Sequence, residues 1–243
     1  MKTKILGVVF DNMLPETACE RFFELVETQE PSTVFTPNPE MVMLAKKDNG
    51  FKEILNSSDL LVPDGIGIVL ASRLTKNPIK QRVAGIELLQ NAFADERAKK
   101  YNWYFLGGKP GVAEKARERM QAQHNGLQII GARDGYFSPE DEEAVINDIV
   151  AAEADIVLVG LGFPRQERWI VANKDKIGAR LYMGVGGSFD VLSGELKRAP
   201  KLFRRVGMEW FWRLLRQPSR IWRQRVLVKF VFVALFSKMR GAL

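Results

Sequence analysis

Five short segments of the sequence combine glycine, proline and polar side chains in a way that suits phosphate binding or proton transfer. They are Thr36-Pro37-Asn38-Pro39-Glu40, Pro63-Asp64-Gly65-Ile66-Gly67, Gly107-Gly108-Lys109-Pro110-Gly111, Gly160-Leu161-Gly162-Phe163-Pro164-Arg165-Gln166-Glu167 and Gly184-Val185-Gly186-Gly187-Ser188-Phe189-Asp190. Glycine lets backbone N–H groups approach a phosphate closely, and the N-terminus of a following helix favours the negative charge. One such loop is a weak signal, but several along one edge of a sheet predict a ligand that carries phosphate.

The polar residues of these loops also have purely structural interpretations. Asn38, ahead of a proline, is typical of a helix start, because asparagine caps the first turn and proline fits within it. Asp64, ahead of a glycine, is typical of a turn. Tyr136 suits either the core or a platform on which a ring stacks. The acids at residues 140–143 are expected at a helix start, where they offset the positive end of the helix dipole.

Short apolar runs alternate with longer amphipathic stretches from residue 4 to residue 190. The apolar runs predict strands at residues 4–10, 33–35, 60–62, 103–106, 128–130, 156–160 and 180–184. The amphipathic stretches include predicted helices at residues 16–29, 86–99, 112–123 and 139–152. This alternation indicates an α/β protein with a Rossmann-like, mostly parallel sheet and helices on both faces. Ligands of such sheets bind at the carboxyl ends of the strands, where the five segments fall.

The last part of the sequence, residues 197–243, differs in composition from the rest. It holds thirteen Lys and Arg and the single acid Glu209, a net charge of +12 in a chain whose formal total is +7. Tryptophan and phenylalanine run through the same stretch. We therefore predict an α/β core at residues 1–196 and a basic, amphipathic appendage at residues 197–243. Cationic and apolar side chains together suit an anionic membrane surface.

The appendage pattern predicts two helices, at residues 201–216 and 219–239, separated by Gln217-Pro218, where proline ends the first. The second is rich in β-branched residues, so a strand there stays an alternative. Its apolar run at residues 230–236 is too short to cross a bilayer, which needs about 20 apolar residues. We therefore expect a peripheral association with the membrane.

The cysteine and histidine counts limit the chemistry. Cys19 is the single cysteine and His124 the single histidine. One cysteine excludes an internal disulfide and fits a reducing compartment. With so few soft ligands we expect no zinc or iron site, and the sequence indicates no cofactor. The N-terminal apolar run is short and meets Asp11 at once, so we interpret it as a strand and not as an export signal.

Five motifs together resemble the WecG/TagA/CpsF glycosyltransferases, in order as well as in sequence. They are Thr36-Pro37-Asn38, Pro63-Asp64-Gly65, Arg82-Val83-Ala84-Gly85, Gly160-Leu161-Gly162-Phe163-Pro164-Arg165-Gln166-Glu167 and Gly186-Gly187-Ser188-Phe189-Asp190. The resemblance covers nearly the whole chain. It implies an inverting transfer of N-acetylmannosamine from UDP to undecaprenyl-diphosphate-linked N-acetylglucosamine, with a β-1,4 bond, early in wall teichoic acid linkage-unit synthesis. Members that transfer N-acetylmannosaminuronic acid or a hexose share these motifs, so another donor sugar in another surface polysaccharide pathway stays an alternative.

The resemblance also implies roles for single residues. Asp64 corresponds to the general base, which would deprotonate the 4-hydroxyl of the acceptor. The polar lining of the same pocket is matched by Thr36, Asn38, Arg82 and Gln166. The uridine would be held by Tyr136 and Asp190, and the appendage arginines that would close over the diphosphate are Arg213, Arg220 and Arg223. From their loop positions, we expect substrate contacts also at Gly107, Gly108, Gly186 and Gly187.

The implied reaction sets the expected partners. The sequence has no Asp-x-Asp pair to hold a metal beside the departing UDP, and arginines and helix N-termini can stabilise that charge instead. We therefore predict a metal-independent reaction. Because the polyprenyl-diphosphate acceptor cannot leave the bilayer, we expect the chain at the cytoplasmic face of the cell membrane. Without lipid, the apolar appendage is expected to drive self-association into homo-oligomers.

Two other classes of protein explain fewer of these sequence features than a glycosyltransferase does. A nucleotide-dependent oxidoreductase needs Gly-x-Gly-x-x-Gly after its first strand, where this chain has Gly7-Val8-Val9-Phe10-Asp11-Asn12. A nucleic-acid-binding module would contact the phosphate backbone through the basic residues of the appendage. Its affinity for nucleic acid would fall steeply as the salt concentration rises. We expect no nucleic-acid partner, because the aromatic residues of the appendage suit lipid better than a duplex.

Overall fold

Six parallel strands form the central sheet of the computed structural model, which describes residues 1–200, 203, 212 and 221–239. In spatial order they are β4 (Leu60–Leu61), β3 (Ser32–Phe35), β8 (Leu181–Gly184), β7 (Ile156–Gly160), β5 (Asn102–Gly107) and β6 (Gln128–Arg133). Strands β3 and β8 are buried along their whole length. Burial on both faces is what a parallel sheet between two helical layers requires. The predicted α/β class with a mostly parallel sheet is confirmed.

Helices cover both faces of this sheet and divide the core into two apolar layers. One layer includes α1 (Pro15–Glu27), α5 (Gly85–Ala94), α6 (Val112–Gln123) and the short α9 (Ser188–Leu192). The other includes α2 (Pro39–Ala45), α3 (Asn49–Asn56), α4 (Ile66–Ser72), α7 (Glu142–Ala151) and α8 (Arg165–Ile177). The predicted helix at residues 86–99 is divided, because Asp95 ends α5 and its side chain caps a separate 3-10 helix, Glu96–Lys100.

The prediction of one strand at residues 4–10 is wrong. This segment belongs to an antiparallel hairpin of β1 (Lys2–Ile5) and β2 (Val8–Asp11), which stands apart from the parallel sheet. Leu6 and Gly7 have φ values of 50° and 90°, and residues with positive φ form the tight turns that suit a two-residue hairpin loop. The hairpin is tied to the sheet edge where Leu61 N–H donates to the carboxylate of Asp11 over 2.9 Å.

The C-terminal helix, Ile221–Met239, packs against α2 and α4. A helix is therefore confirmed for this segment, and the alternative of a strand there is wrong. Phe230 and Ala234 are buried in the same apolar layer as those two helices. A Cβ atom on Gly67 would lie 2.9 Å from Leu227 Cδ1, so glycine at this position permits the close approach of α4 to the C-terminal helix.

The outer side of the C-terminal helix is also apolar. Four of its side chains expose between 43% and 59% of their surface: Val231, Phe232, Leu235 and Phe236. Lys229 and Lys238 are exposed on the same helix. Among the residues that the structure describes, none of the helices is both long and apolar enough to span a membrane.

The predicted helix at residues 201–216 lies outside the described residues, apart from two of its aromatic members. Phe203 and Trp212 are both helical, and their ring centroids lie 5.4 Å apart. Aromatic pairs at this separation contribute favourably to packing.

Candidate active site

Backbone hydrogen bonds hold three of the predicted segments together at the carboxyl ends of β3 and β4. The N–H of Asp64 donates to the carbonyl of Pro37 over 3.1 Å, and the N–H of Val83 donates to the carbonyl of Pro63 over 2.8 Å. The carboxylate of Asp64 accepts a hydrogen bond of 3.4 Å from the N–H of Gly85, the first residue of α5. A helix N-terminus favours negative charge, so the start of α5 holds this half-buried carboxylate in place.

Thr36 contacts the same glycine as Asp64. A Cβ atom on Gly85 would lie only 2.8 Å from Thr36 Oγ1, so the hydroxyl lies directly against the start of α5. Thr36 and Asp64 therefore share Gly85 as a neighbour, and the structure brings them together. A side chain at position 85 would push the hydroxyl away.

Asn38 has the structural role that its sequence context predicts. Its Oδ1 accepts hydrogen bonds from the N–H groups of Glu40 (2.9 Å) and Met41 (3.1 Å), which caps α2. Two backbone donors at a helix start are thereby satisfied. The Nδ2 amide remains the polar group through which Asn38 would contact a substrate, and that contact stays a prediction.

Gln166 organises the loop that follows β8. Its Oε1 accepts a hydrogen bond of 2.9 Å from the N–H of Gly186, and its Nε2 donates to Glu167 Oε1 over 2.7 Å. The side chain is buried and lies against Gly184, where a Cβ atom would come within 2.8 Å of Nε2. Gly184 also adjoins Phe35, the residue before Thr36. Gln166 therefore supports the glycine-rich loop from within the same region as Thr36.

Glu167 is a fully buried acid beside this loop. It exposes 0% of its surface, and burial raises its pKa to about 7, against the opposing effect of hydrogen bonds from Gln166 and from its own backbone. Within the described residues, its Oε2 has no hydrogen-bond partner. The sequence places Glu167 in a motif but gives no sign that it is buried, since a glutamate in the first turn of a helix is usually exposed.

Glycines bring three neighbouring strand ends into direct backbone contact. Gly107 has a φ of 136°, and a Cβ atom there would overlap the carbonyl of Gly160. A Cβ atom on Gly160 would in turn lie 2.8 Å from the carbonyl oxygen of Gly186. The N–H of Gly108 donates to the Gly160 carbonyl over 3.1 Å. The predicted glycine positions after β5 and β8 thus line one continuous edge, where a ligand can approach the backbone.

Tyr136 lies at the end of this edge and does not belong to the core. The residue exposes 71% of its surface, as a side chain available for stacking would. Arg165, absent from the predicted site, holds the adjacent loop by donating to the carbonyls of Gly135 (3.2 Å) and Phe137 (3.4 Å). Its guanidinium also lies 4.8 Å from the centroid of the Phe137 ring, a cation–π distance.

Asp190 lies in α9, directly after the loop supported by Gln166. A Cβ atom on Gly187 would lie 3.3 Å from Asp190 Oδ2, so the half-buried carboxylate faces the backbone of the predicted Gly186-Gly187 pair. The carbonyl of Asp190 accepts from the N–H of Leu196 over 2.7 Å, which turns the chain back after the helix. Asp190 and the glycine pair are thus brought together.

Arg82 shares a carboxylate with a second arginine. Its Nη2 lies 3.3 Å from Glu87 Oε1, and Arg198 Nη2 lies 2.9 Å from the same oxygen. Arg198 Nη1 also donates to Gln90 Oε1 over 2.8 Å. Neither Glu87 nor Arg198 was among the predicted site residues, because the two lie 111 residues apart and follow no common sequence pattern.

The predicted appendage arginines are not placed by the structure. Arg213 and Arg220 lie outside the described residues. Arg223 belongs to the C-terminal helix, and its side chain is also outside the described part of the chain. Their closing over a diphosphate stays a prediction.

A sequence profile of the glycosyl transferase WecG/TagA/CpsF family matches residues 3–242 of the chain. The chain belongs to this family of glycosyltransferases, and the resemblance drawn from the five motifs is confirmed.

The chain is also similar to several bacterial proteins named N-acetylglucosaminyldiphosphoundecaprenol N-acetyl-beta-D-mannosaminyltransferase. It is 34% identical over 241 residues to the protein of Staphylococcus aureus (strain MRSA252), covering 98% of this chain and 94% of the relative. It is 35% identical over 204 residues to that of Bacillus subtilis (strain 168), covering 84% and 79% of the two chains. Identity to the Bacillus spizizenii protein is 36% over 209 residues, covering 86% and 80%.

Proposed function

We propose that the chain transfers N-acetylmannosamine from UDP-N-acetylmannosamine to undecaprenyl-diphosphate-linked N-acetylglucosamine. The similarity to transferases named for this reaction, over 98% of the chain in one case, carries the proposal. The half-buried Asp64 carboxylate beside Thr36, at the carboxyl end of a parallel sheet, supports it with a site of suitable chemistry.

The proposed reaction is a single displacement. Asp64 removes the proton of the acceptor 4-hydroxyl, and that oxygen forms a bond to the anomeric carbon of the donor sugar. The bond from this carbon to UDP breaks, and UDP leaves with the electron pair. Attack on the face opposite the leaving group inverts the anomeric centre, so one carboxylate is sufficient.

The leaving diphosphate is proposed to be stabilised by arginine and backbone N–H groups without a metal. Arg82 supplies a guanidinium within the described core, and Gly187 lies at the backbone start of α9. Donors fixed before the reaction are effective because they need no rearrangement as charge develops. Tyr136 and Asp190 are proposed to hold the uridine.

Transfer to a lipid-linked N-acetylglucosamine analogue tests the donor assignment. We expect product with UDP-N-acetylmannosamine and, at the same protein concentration, less than about a hundredth of that rate with two other donors. UDP-glucose lacks the N-acetyl group and would leave the polar groups that bind it unpaired, and UDP-N-acetylmannosaminuronic acid has a charged carboxylate in place of the 6-hydroxymethyl group. Mass spectrometry of the extracted lipid measures the product. A higher rate with either of the other donors would contradict the proposed substrate but not the transferase class.

We further propose that residues 197–243 form a basic appendage that brings the core, residues 1–196, to an anionic membrane at its cytoplasmic face. The exposed apolar side of the C-terminal helix supports this, because it offers apolar contact next to exposed Lys229 and Lys238. In the absence of lipid, the same surface is proposed to join copies of the chain.

A double substitution, Phe232→Ser with Phe236→Ser, is expected to weaken binding to vesicles of phosphatidylglycerol and phosphatidylcholine at least about tenfold, since each buried phenylalanine contributes roughly 1.5–3 kcal/mol. Flotation through a density gradient measures the bound fraction. The matched control is Ile130→Ser with Val150→Ser, two exposed apolar residues near the opposite edge of the sheet. Equal loss in both pairs, or none in the first, would argue against this surface as the membrane contact.

A further inference from the structure

The glycine-rich loop after β8 is tied to α8 by the side chain of Gln166. The N–H of Gly186 donates to Gln166 Oε1 over 2.9 Å, and Gly186 has a φ of 50°. Glycine adopts this left-handed region at little cost but is also free to leave it. The hydrogen bond to Gln166 therefore helps to fix the backbone of a loop where we expect substrate contacts.

The amide of Gln166 can hold Gly186 in only one of its two orientations. An amide side chain keeps nearly the same shape after a rotation of 180°, which exchanges its oxygen and its nitrogen. In the exchanged orientation an NH2 group would face the Gly186 N–H, and two donors cannot pair. The amide is buried against Gly184, where a Cβ atom would lie 2.8 Å from Nε2. Packing thus fixes the place of the amide but not its orientation.

Glu167 contacts the other side of the same amide. Its Oε1 accepts a hydrogen bond of 2.7 Å from Gln166 Nε2, so an amide oxygen turned toward it would face a second acceptor. Glu167 exposes none of its surface, and its Oε2 has no hydrogen-bond partner within the described part of the chain. An acid protonated on Oε2 can still accept at Oε1, so the contact requires an acceptor and not a charge. Gly186 and Glu167 therefore select the same orientation of Gln166.

We propose that Glu167 is a positioning residue for the donor: by accepting from Gln166 Nε2, it keeps Gln166 Oε1 on the N–H of Gly186 and so holds the loop in the form that binds UDP. The inference rests on the proposed function, in which this loop contacts the donor. It also gives a reason for an acid in the core, where burial disfavours the ionised form. Glu167 itself need not touch the substrate.

A residue that only filled space in the core would behave differently. An apolar side chain of similar length would then serve as well as the acid, because it brings no charge into the core. If Glu167 orients Gln166, the same substitution leaves a buried amide nitrogen without an acceptor and frees the amide to rotate. UDP binding then weakens although the protein is folded.

The test compares Glu167→Met, which has no oxygen acceptor, with Glu167→Gln, which keeps one. Calorimetry measures the Kd for UDP, transfer kinetics give the donor KM and kcat, and thermal unfolding shows that each variant is folded. We expect E167M to raise the Kd and the donor KM about tenfold, which corresponds to about 1.4 kcal/mol, with kcat within about threefold of the wild type. E167Q should stay within about threefold of the wild type in all three constants, because its amide oxygen can accept from Gln166 Nε2.

A double-mutant cycle shows whether Glu167 acts through Gln166. Gln166→Leu is expected to weaken UDP binding, and adding E167M should change the Kd by less than about threefold more, because the effects of residues in one hydrogen-bond network do not add. The matched control is Asn173→Leu, which removes a buried amide farther along α8 that donates to Glu142 Oε1 over 3.0 Å. It should bind UDP like the wild type. If E167M fails to fold, Glu167→Leu takes its place in the cycle.

An E167M that binds UDP like the wild type would overturn the inference. So would an E167Q as weak as E167M, additive effects of E167M and Q166L, or an equal loss of UDP binding in N173L. In each of these cases the wild-type protein still transfers sugar, and the proposed function would stand. A wild-type protein that neither binds UDP nor transfers sugar would overturn both.

Discussion

Asp64→Asn is expected to lower the transfer rate by about 100- to 10,000-fold, the range for loss of a general base. Asparagine keeps the shape of the side chain, and its Oδ1 can still accept the N–H of Gly85, so the local structure should persist. It cannot accept a proton from the acceptor hydroxyl. UDP binding should therefore change little while turnover falls. Single-turnover transfer at saturating donor, together with calorimetry for UDP, separates the two effects.

The control for this substitution lies at the other end of the same strand. Asp59 precedes β4, and its carboxylate accepts the N–H of Thr33 over 2.8 Å, whereas Asp64 follows β4. Each aspartate accepts a backbone N–H, but only Asp64 lies at the carboxyl end of the sheet. Asp59→Asn should retain turnover within about threefold, well below the effect of losing a catalytic group. Equal turnover of Asp64→Asn and the wild type would remove Asp64 from its proposed role.

Glu167→Gln is expected to stabilise the protein at neutral and alkaline pH. The pKa of Glu167 is about 7 in the folded protein against 4.5 for the unperturbed group, so the folded state favours the protonated acid. Its contribution to stability is therefore greatest below pH 4.5 and is lost as the pH rises toward and through 7. The gap of about 2.5 pKa units corresponds to about 3 kcal/mol. Glutamine does not ionise and can still accept a hydrogen bond from Gln166 Nε2, so it avoids this loss.

Urea-induced unfolding at several pH values measures this effect. The free energy of unfolding of Glu167→Gln minus that of the wild type should grow by about 3 kcal/mol between pH 4 and pH 8. Glu16→Gln, at an exposed position in the first turn of α1, is the matched control, and its difference should stay within about 0.5 kcal/mol. A difference for Glu167→Gln that does not vary with pH would show that the buried acid stays in one protonation state. Proteins tolerate such a cost mainly where function requires it, and Gln166, which donates to Glu167, also holds the loop after β8.

The sequence was a good guide to the sheet because most of its strands, though not the edge strand β6, are buried on both faces. Parallel strands of this kind appear as uninterrupted apolar runs, and the run at residues 156–160 corresponds to β7 without any shift of bounds. The same rule failed at residues 4–10, where an apolar run is divided by a turn. Gly7 was the one residue in the sequence that indicated this turn. Leu6 also has a positive φ, but leucine as a residue type does not indicate one.

The site was predictable as a set of loops but not as a set of contacts. Glycine and polar residues after β3, β4, β5 and β8 marked the carboxyl edge of the sheet, since local turn chemistry is visible in sequence. That Gly85 adjoins both Thr36 and Asp64 depends on how α5 packs, which no local pattern records. The same holds for Arg198 and Glu87, whose pairing spans 111 residues.

The burial of Phe230 in the apolar layer that includes α2 and α4 has a practical consequence for protein production. A shortened chain that ends before residue 221 lacks the phenyl ring and the Ala234 methyl group that cover this part of the core. Without the helix, apolar surface beside Gly67 and Pro39 would be exposed to solvent. Exposed apolar surface of this kind favours aggregation. A shortened protein made for expression should therefore keep this helix and carry polar substitutions on its exposed side. The alternative is to replace the uncovered apolar side chains of α2 and α4 with polar ones.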